Sequence, residues 1–252
     1  MKAARQRIDV LLVERGLAGS RTQAQALVLA GVVRVNGQRV DKAGTAVDEN
    51  AVVEVAEAMP YVSRGGYKLA AALDHWRIQP RGWVCADIGA STGGFTDVLL
   101  QRGAAKVHAV DVGGGQLHWK LRTDARVVLH AHCNARFLTP EMLGEKVRLA
   151  VCDVSFISVT LILPALLPLL EAPRQFVVLV KPQFEAGRAQ VGRGGIVRDP
   201  AVHAEIVERI RRQVEAQGMT AEVIESPILG AEGNKEFLLY GADPDCRHHL
   251  EA

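Results

Sequence analysis

The sequence contains no apolar run long enough to cross a membrane. A spanning helix needs roughly 20 apolar residues in a row, and the most apolar stretch, residues 159–170, is interrupted by Pro164 and Pro168. No apolar segment with a small-residue cleavage site follows the basic residues at the N-terminus. A signal peptide and a membrane partner are therefore not expected, and a cytoplasmic location is. Cysteine is scarce and scattered: Cys85, Cys133, Cys152 and Cys246 form no C-x-x-C pair. That excludes a zinc framework or a disulfide-stapled scaffold and suits reduced core thiols, so no metal is expected. Charge of neither sign dominates, the net value being +2 over 252 residues. A polyanionic partner must be argued from where the charges lie, not from their sum.

What is present is a core-forming composition and one organising stretch. Apolar residues make up 48% of the chain, enough for one large domain or a small one beside a medium one. The stretch is Val84-Cys85-Ala86-Asp87-Ile88-Gly89-Ala90-Ser91-Thr92-Gly93-Gly94-Phe95-Thr96-Asp97-Val98-Leu99-Leu100. It opens as an apolar strand, passes through small residues and resumes as a helix with Phe95, Val98 and Leu99 on one face. Gly89, Gly93 and Gly94 let backbone amides and a flat ligand approach, because no Cβ intervenes. The loop is neither G-x-G-x-x-G nor G-x-x-x-x-G-K-[ST], so it is not a phosphate cradle of either type. A second strand, residues 106–111, ends in Asp111, about one βαβ step later, where a carboxylate can take both hydroxyls of an adenosine ribose. Loop plus acid suits either a dinucleotide or S-adenosyl-L-methionine.

The first 42 residues hold eight Lys and Arg against three acids, a local basic excess that points to nucleic acid, with no DNA partner expected. Ile8, Leu11, Leu12 and Leu17 predict a short helix ended near Gly16. Ser20 is an N-cap for a second helix carrying Ala24, Leu27, Val28 and Leu29, stopped by Gly31. Residues 32–35 read as a strand, Asn36-Gly37 as a hairpin turn, 38–40 as the return and 52–55 as a last strand. Residues 56–64 connect this unit to the rest, with Met59-Pro60 favouring extended chain.

Beyond the connector, a helix over residues 67–76 carries Leu69, Leu73 and Trp76 at helical spacing, with Lys68 off that stripe. Further strands are predicted at 127–132 (ending in Cys133-Asn134), 149–156, 176–182, 221–224 and 236–240. A helix over 200–217 is predicted with Asp199 as N-cap and Val202, Ile206, Ile210 and Val214 on one face. Near-continuous apolar strands fit a sheet covered on both faces. In such sheets chemistry gathers at the carboxyl ends of the strands. Asp153 and Lys181 stand at two such ends, and Glu236 opens the last, antiparallel strand on the same edge.

Two resemblances follow from quoted residues. Arg7-Ile8-Asp9, Gly16-Leu17-Ala18, Ser20-Arg21, Gly31-Val32-Val33 and Val35-Asn36-Gly37 resemble the RNA-binding module first seen in a small-subunit ribosomal protein, the S-four-type or α-L domain. That resemblance implies contact with structured RNA by shape and phosphate, through Arg7, Arg21, Arg34 and Asn36, with Arg64 in the connector. Lys68, Asp153, Lys181 and Glu236 match the Lys-Asp-Lys-Glu tetrad of FtsJ-class ribose 2′-O-methyltransferases. The segments Ser63-Arg64-Gly65-Gly66-Tyr67-Lys68, Cys152-Asp153-Val154-Ser155-Phe156, Lys181-Pro182-Gln183-Phe184-Glu185 and Gly194-Gly195-Ile196-Val197-Arg198-Asp199-Pro200 are similar to the TlyA family. A departure is Gly113-Gly114-Gly115, where that family commonly has a larger middle residue.

The resemblance implies an α/β fold: a Rossmann-like class I methyltransferase with a seven-strand sheet, preceded by a small α+β RNA-binding domain. The expected boundaries are 1–58, a linker at 59–64, and 65–252. It implies S-adenosyl-L-methionine held by Asp87, Gly89, Ala90, Ser91, Gly93, Gly94, Phe95, Asp111, Asn134 and Asp153. The implied reaction is methylation of cytidine 2′-hydroxyls in ribosomal RNA; the oligomeric state is left open, with a monomer favoured. Two other classes stand beside it: a non-catalytic RNA-binding or assembly protein on a methyltransferase scaffold, and a haemolysin, the family's other name. The haemolysin reading lacks a membrane-inserting element. Chemistry supports the enzyme independently. A ribose hydroxyl must lose its proton as it attacks a methyl group, and a lysine that is partly desolvated and faces a second cation can take that proton or steady the alkoxide. Lys181 is assigned that role, Asp153 orients it, and Lys68 and Glu236 hold the hydroxyl and tune the lysine.

Overall fold

The computed structural model describes residues 4–29, 31–55 and 59–249. The chain divides into two compact units, Met1–Pro60 and Tyr61–Ala252.

The first unit carries β1 (Arg5–Arg7), β2 (Val33–Val35), β3 (Gln38–Arg39), β4 (Ala46–Asp48) and β5 (Val53–Val55), with helices Ile8–Glu14 and Arg21–Leu29. Its core is Ile8, Leu11, Leu12, Ala24, Val28 and Val33. Ser20 Oγ accepts from Gln23 N at 3.2 Å, the cap expected of a serine there. Asn36 and Gly37 both have positive φ, 50° and 78°. That is the two-residue turn that lets β2 and β3 pair without splaying. Two expectations shift. Leu29 is 75% exposed, because the second helix turns Ala24 and Val28 inward and half-buries Leu27 beside them. The pairing of β1 with β4 has no counterpart in the sequence reading: three-residue strands such as Arg-Gln-Arg carry no apolar alternation to detect.

Residues 56–58 of the expected connector lie outside the described residues. Residues 61–64 are packed on the second unit, where Val62 N donates to Asp97 Oδ2 at 2.8 Å and the rings of Tyr61 and Tyr67 meet edge to face at 5.7 Å.

The second unit contains β6 (Val84–Ile88), β7 (Lys106–Val110), β8 (Val127–His130), β9 (Leu149–Cys152), β10 (Gln175–Val180), β11 (Thr220–Glu225) and β12 (Phe237–Ala242). They form one sheet in the order β11-β12-β10-β9-β6-β7-β8. Every pair is parallel except those made by β12. Strand alternation splits the apolar residues between two cores. Cys85, Val107, Leu149, Val151, Val177 and Leu179 face one side with helices Gly65–His75 and Gly94–Gln101. Ala86, Ile88, Val110, Ala150, Cys152, Val178 and Val180 face the other with helix Pro200–Glu215. That helix buries His203 beside Ile206, Ile210 and Val214, leaving the expected Val202 half-buried. All four cysteines are free, and burial pushes the Cys85 thiol up to about 12. Between β6 and β9 the strand order reverses direction, the crevice where open α/β sheets bind their ligands.

Candidate active site

Glycine is required twice in the loop after β6. Gly89 has φ +84°, and a Cβ there would lie 2.5 Å from the carbonyl oxygen of Asp153. A side chain would force the loop off the end of β9. Gly93 has φ +95°, and its Cβ would fall 2.2 Å from a methyl of Leu121. The loop is tied down by Gly89 N and Ala90 N, which both donate to Val110 O at 2.8 and 3.0 Å.

Two cavities open above this loop and share Gly89, Ser91, Asp153 and Ser155. The larger, about 470 Å³, is lined by Asp111, Gln116, Cys133, Asn134 and Ile162 among others. Such a volume suits a small organic ligand. Asp111 accepts from Ser91 N at 2.8 Å and Gly113 N at 2.7 Å. These amides fix the carboxylate at the cavity wall, and each oxygen keeps a lone pair for a ligand hydroxyl. Asn134 Oδ1 accepts from Arg136 N at 3.0 Å, which fixes its side chain.

The smaller cavity, about 250 Å³, is lined by Lys68, Asp87, Ala90, Gly94, Phe95, Asp153, Ser155 and Lys181, with Ser63 and Gly65. Lys181 Nζ lies 2.6 Å from Asp153 Oδ1 and donates to Ser155 Oγ at 2.8 Å. Lys68 is ion-paired with Glu236, and both are buried. Glu236 is not part of the cavity wall; it stands behind Lys68. The four residues are thus two ion pairs, from helix Gly65–His75, the ends of β9 and β10, and the start of β12.

Asp87 is fully buried, and its Oδ2 accepts from both Thr96 N (2.8 Å) and Thr96 Oγ1 (2.6 Å). Burial pushes its carboxyl up to about 7 against those hydrogen bonds, and Asp153 and Asp111 add repulsion. Its Oδ1 is buried without a hydrogen-bond partner. A buried acceptor left unpaired is costly, and in a ligand-sized cavity it marks where a cationic donor belongs. A cofactor carrying an adenosine ribose at one end and an ammonium at the other fits Asp111, Asn134 and Asp87 in turn.

Residues 61–242, which carry this sheet, match the FtsJ-like methyltransferase family. The chain belongs to that family. The S4 domain family matches residues 6–53. The chain is 48% identical over 241 residues to TlyA of Mycobacterium tuberculosis, named a 16S/23S rRNA (cytidine-2′-O)-methyltransferase, covering 94% of this chain and 90% of the relative. It is 42% identical over 236 residues to Hemolysin A of Brachyspira hyodysenteriae, covering 93% of this chain and 98% of the relative. A solved hemolysin-type structure from Streptococcus thermophilus superposes with a TM-score of 0.74 at 45% identity, covering 96% of this chain and 89% of the other.

Other side chains of the FtsJ-like unit were not singled out from sequence. Ser155 bonds Lys181. Phe156 is 90% exposed, lines the larger cavity, and has φ +64°, a conformation strained for an aromatic residue. Its ring meets Phe184 at 5.1 Å. The signal was position alone: both lie within three residues of Asp153.

In the S4 unit, two of the arginines expected to meet RNA already have work. Arg7 donates to both oxygens of the fully buried Asp9 (3.0 and 2.9 Å), and Arg21 Nε and Gln25 Nε2 each donate to Asp9 Oδ2 at 3.0 Å. Side-chain exposure of 49% and 56% still leaves Arg7 and Arg21 with donors at the surface. Arg34 bonds the Gly37 carbonyl, and Asn36 Oδ1 accepts from Val52 N, so these two brace the hairpin. Arg64, beyond this unit, is exposed at the start of helix Gly65–His75.

Proposed function

We propose that the protein methylates ribose 2′-hydroxyls, of cytidine in ribosomal RNA, using S-adenosyl-L-methionine. The observation that carries this reading is the Lys181–Asp153 pair in a cavity that also exposes Lys68 and joins the Asp111 cavity. The family and the names of its relatives support the substrate. The S4 unit supports RNA as the partner.

When bound, S-adenosyl-L-methionine supplies an electrophilic methyl group on a sulfonium, and the protein contributes position and electrostatics. Asp111 and Asn134 would hold its adenosine, Asp87 its ammonium, and Gly89, Ser91 and Gly93 its flank. Lys181 Nζ acts on the attacking 2′-hydroxyl: as the free amine it takes the proton, and as the ammonium paired with Asp153 it steadies the forming alkoxide while the proton passes to water. Asp153 and Ser155 fix that amine in place, so no reorientation is needed as the proton moves. Lys68, held by Glu236, places a second cation where alkoxide charge develops. Phe156 presents a flat apolar face at the rim, suited to an unstacked base. The larger cavity keeps an apolar wall of Val110, Ile157 and Ile162, against which the flat adenine of the cofactor would pack.

Transfer of tritium from labelled S-adenosyl-L-methionine to ribosomal RNA, followed by nuclease digestion, tests this reading. Label should appear in 2′-O-methylcytidine. Label on a base, or none at all, would overturn it.

A further inference from the structure

The short helix Trp119–Arg122 carries an exposed aromatic side chain beside two cations, next to the glycine loop. Trp119 is 66% exposed, whereas Trp76 is buried. A single exposed apolar side chain needs no explanation, but here three facts join.

The helix is held rigidly against the active-site loop. Leu117 and Leu121 are buried, and their methyl groups press on Gly93. His118 N donates to Thr92 O at 3.1 Å, and His118 Nδ1 accepts from Lys120 N at 3.3 Å. Next, Trp119 and Arg122 stand three residues apart, so they share one face of the turn. The His118 ring lies 6.0 Å from the indole. Finally, Lys120 and Arg122 are exposed, and neither has an ion-pair partner among the described residues. The neighbouring acid, Asp124, is taken by Arg126 at 2.8 Å.

An exposed indole beside exposed cations, on a helix anchored to the loop, is complementary to single-stranded RNA, which offers a base face and phosphates together. We propose that Trp119, Lys120 and Arg122 form an RNA-binding patch on the methyltransferase unit: the indole stacks on an unpaired base and the cations take flanking phosphates. This rests on the reading of ribosomal RNA as substrate. Because the helix is pinned to residues 92 and 93, strand held there is held beside the loop that lines both cavities.

The test measures equilibrium binding of protein-free ribosomal RNA fragments to full-length wild type, Trp119→Ala, Trp119→Phe and Arg122→Gln, with S-adenosyl-L-methionine affinity measured alongside. Trp119→Ala should weaken RNA binding ~5- to 100-fold, the range for losing one stacked base. Trp119→Phe should recover most of it, and cofactor affinity should not change. Arg122→Gln should reduce the salt-dependence slope by about one unit. RNA should also shield wild-type tryptophan fluorescence from acrylamide. Wild-type RNA affinity in Trp119→Ala overturns the patch. So does a loss seen only with assembled ribosomal subunits, which would make the occupant a protein. Failure of the wild type to bind or methylate ribosomal RNA would instead overturn the proposed function, and the wild-type measurement separates the two.

Discussion

Glu236 is ion-paired with Lys68, which lines the smaller cavity. The carboxylate is 2% exposed and the lysine side chain 10%, so each neutralises the other out of water. Breaking such a pair from one side leaves a buried charge without its counterpart.

Glu236→Gln should therefore destabilise the protein by about 3–5 kcal/mol in urea unfolding. The double variant Lys68→Met/Glu236→Leu should regain most of that stability and stay inactive. A Glu236→Gln protein with wild-type stability would mean that the pair is not buried in solution.

Lys181→Ala should leave fold and cofactor affinity nearly intact and lower turnover at least ~100-fold, the lower range for a lost general base. Lys181→Arg should fare little better, because a guanidinium holds its proton and is wider and planar. Single-turnover methylation checks both. An active Lys181→Arg enzyme would leave the lysine as a fixed positive charge only.

Cofactor affinity should depend on pH through Asp87. Its carboxyl is pushed up to about 7 by burial, above the ordinary value of roughly 4. The folded, ligand-free protein thus holds that proton more tightly than the unfolded chain. The associated stability is full below about pH 4 and lost as pH rises through about 7. An ammonium ligand selects the ionised carboxylate, so affinity should climb with pH, up to about tenfold per unit below 7, then level off. Calorimetry from about pH 5.5 to about pH 8 reads this slope. Asp87→Asn should flatten it; an unchanged slope would remove Asp87 from the cofactor site.

Asp111→Ala should weaken S-adenosyl-L-methionine binding by roughly 1.5–3 kcal/mol, the worth of hydrogen bonds to a charged group. Part of that loss would come from the loop, since Ser91 N and Gly113 N lose their acceptor. Unchanged affinity by calorimetry would exclude Asp111 as a ribose ligand.

In the S4 unit, Asp9 ties Arg7, Arg21 and Gln25 together, and those hydrogen bonds hold its carboxyl well below the usual range. Being depressed, it contributes stability above the unfolded value near 4, and that stability is lost as pH falls. Asp9→Asn should free Arg7 and Arg21 to wander and weaken ribosomal RNA binding several-fold, with the cofactor affinity of the other unit unchanged. RNA titrations at constant salt would show this. Full RNA affinity in the variant would mean that the arginines act without being positioned.

Local chemistry made much of this legible in the sequence. Apolar runs predicted the parallel strands because both sheet faces are covered, and Ser20, Asp199 and Asn36-Gly37 predicted caps and a turn because their geometry is set within a few residues. Asp153, Lys181 and Glu236 could be placed at one edge because strand direction alone decides which ends meet. What only tertiary structure decided is how those groups pair. Nothing in the spacing says that Lys68 takes Glu236, 168 residues away, and Lys181 takes Asp153. Nor does it say that Arg7 and Arg21 serve a buried aspartate, or that Asp87 keeps one oxygen unpaired. Burial and partner choice arise from packing of distant segments, and sequence periodicity carries only the local part of that information.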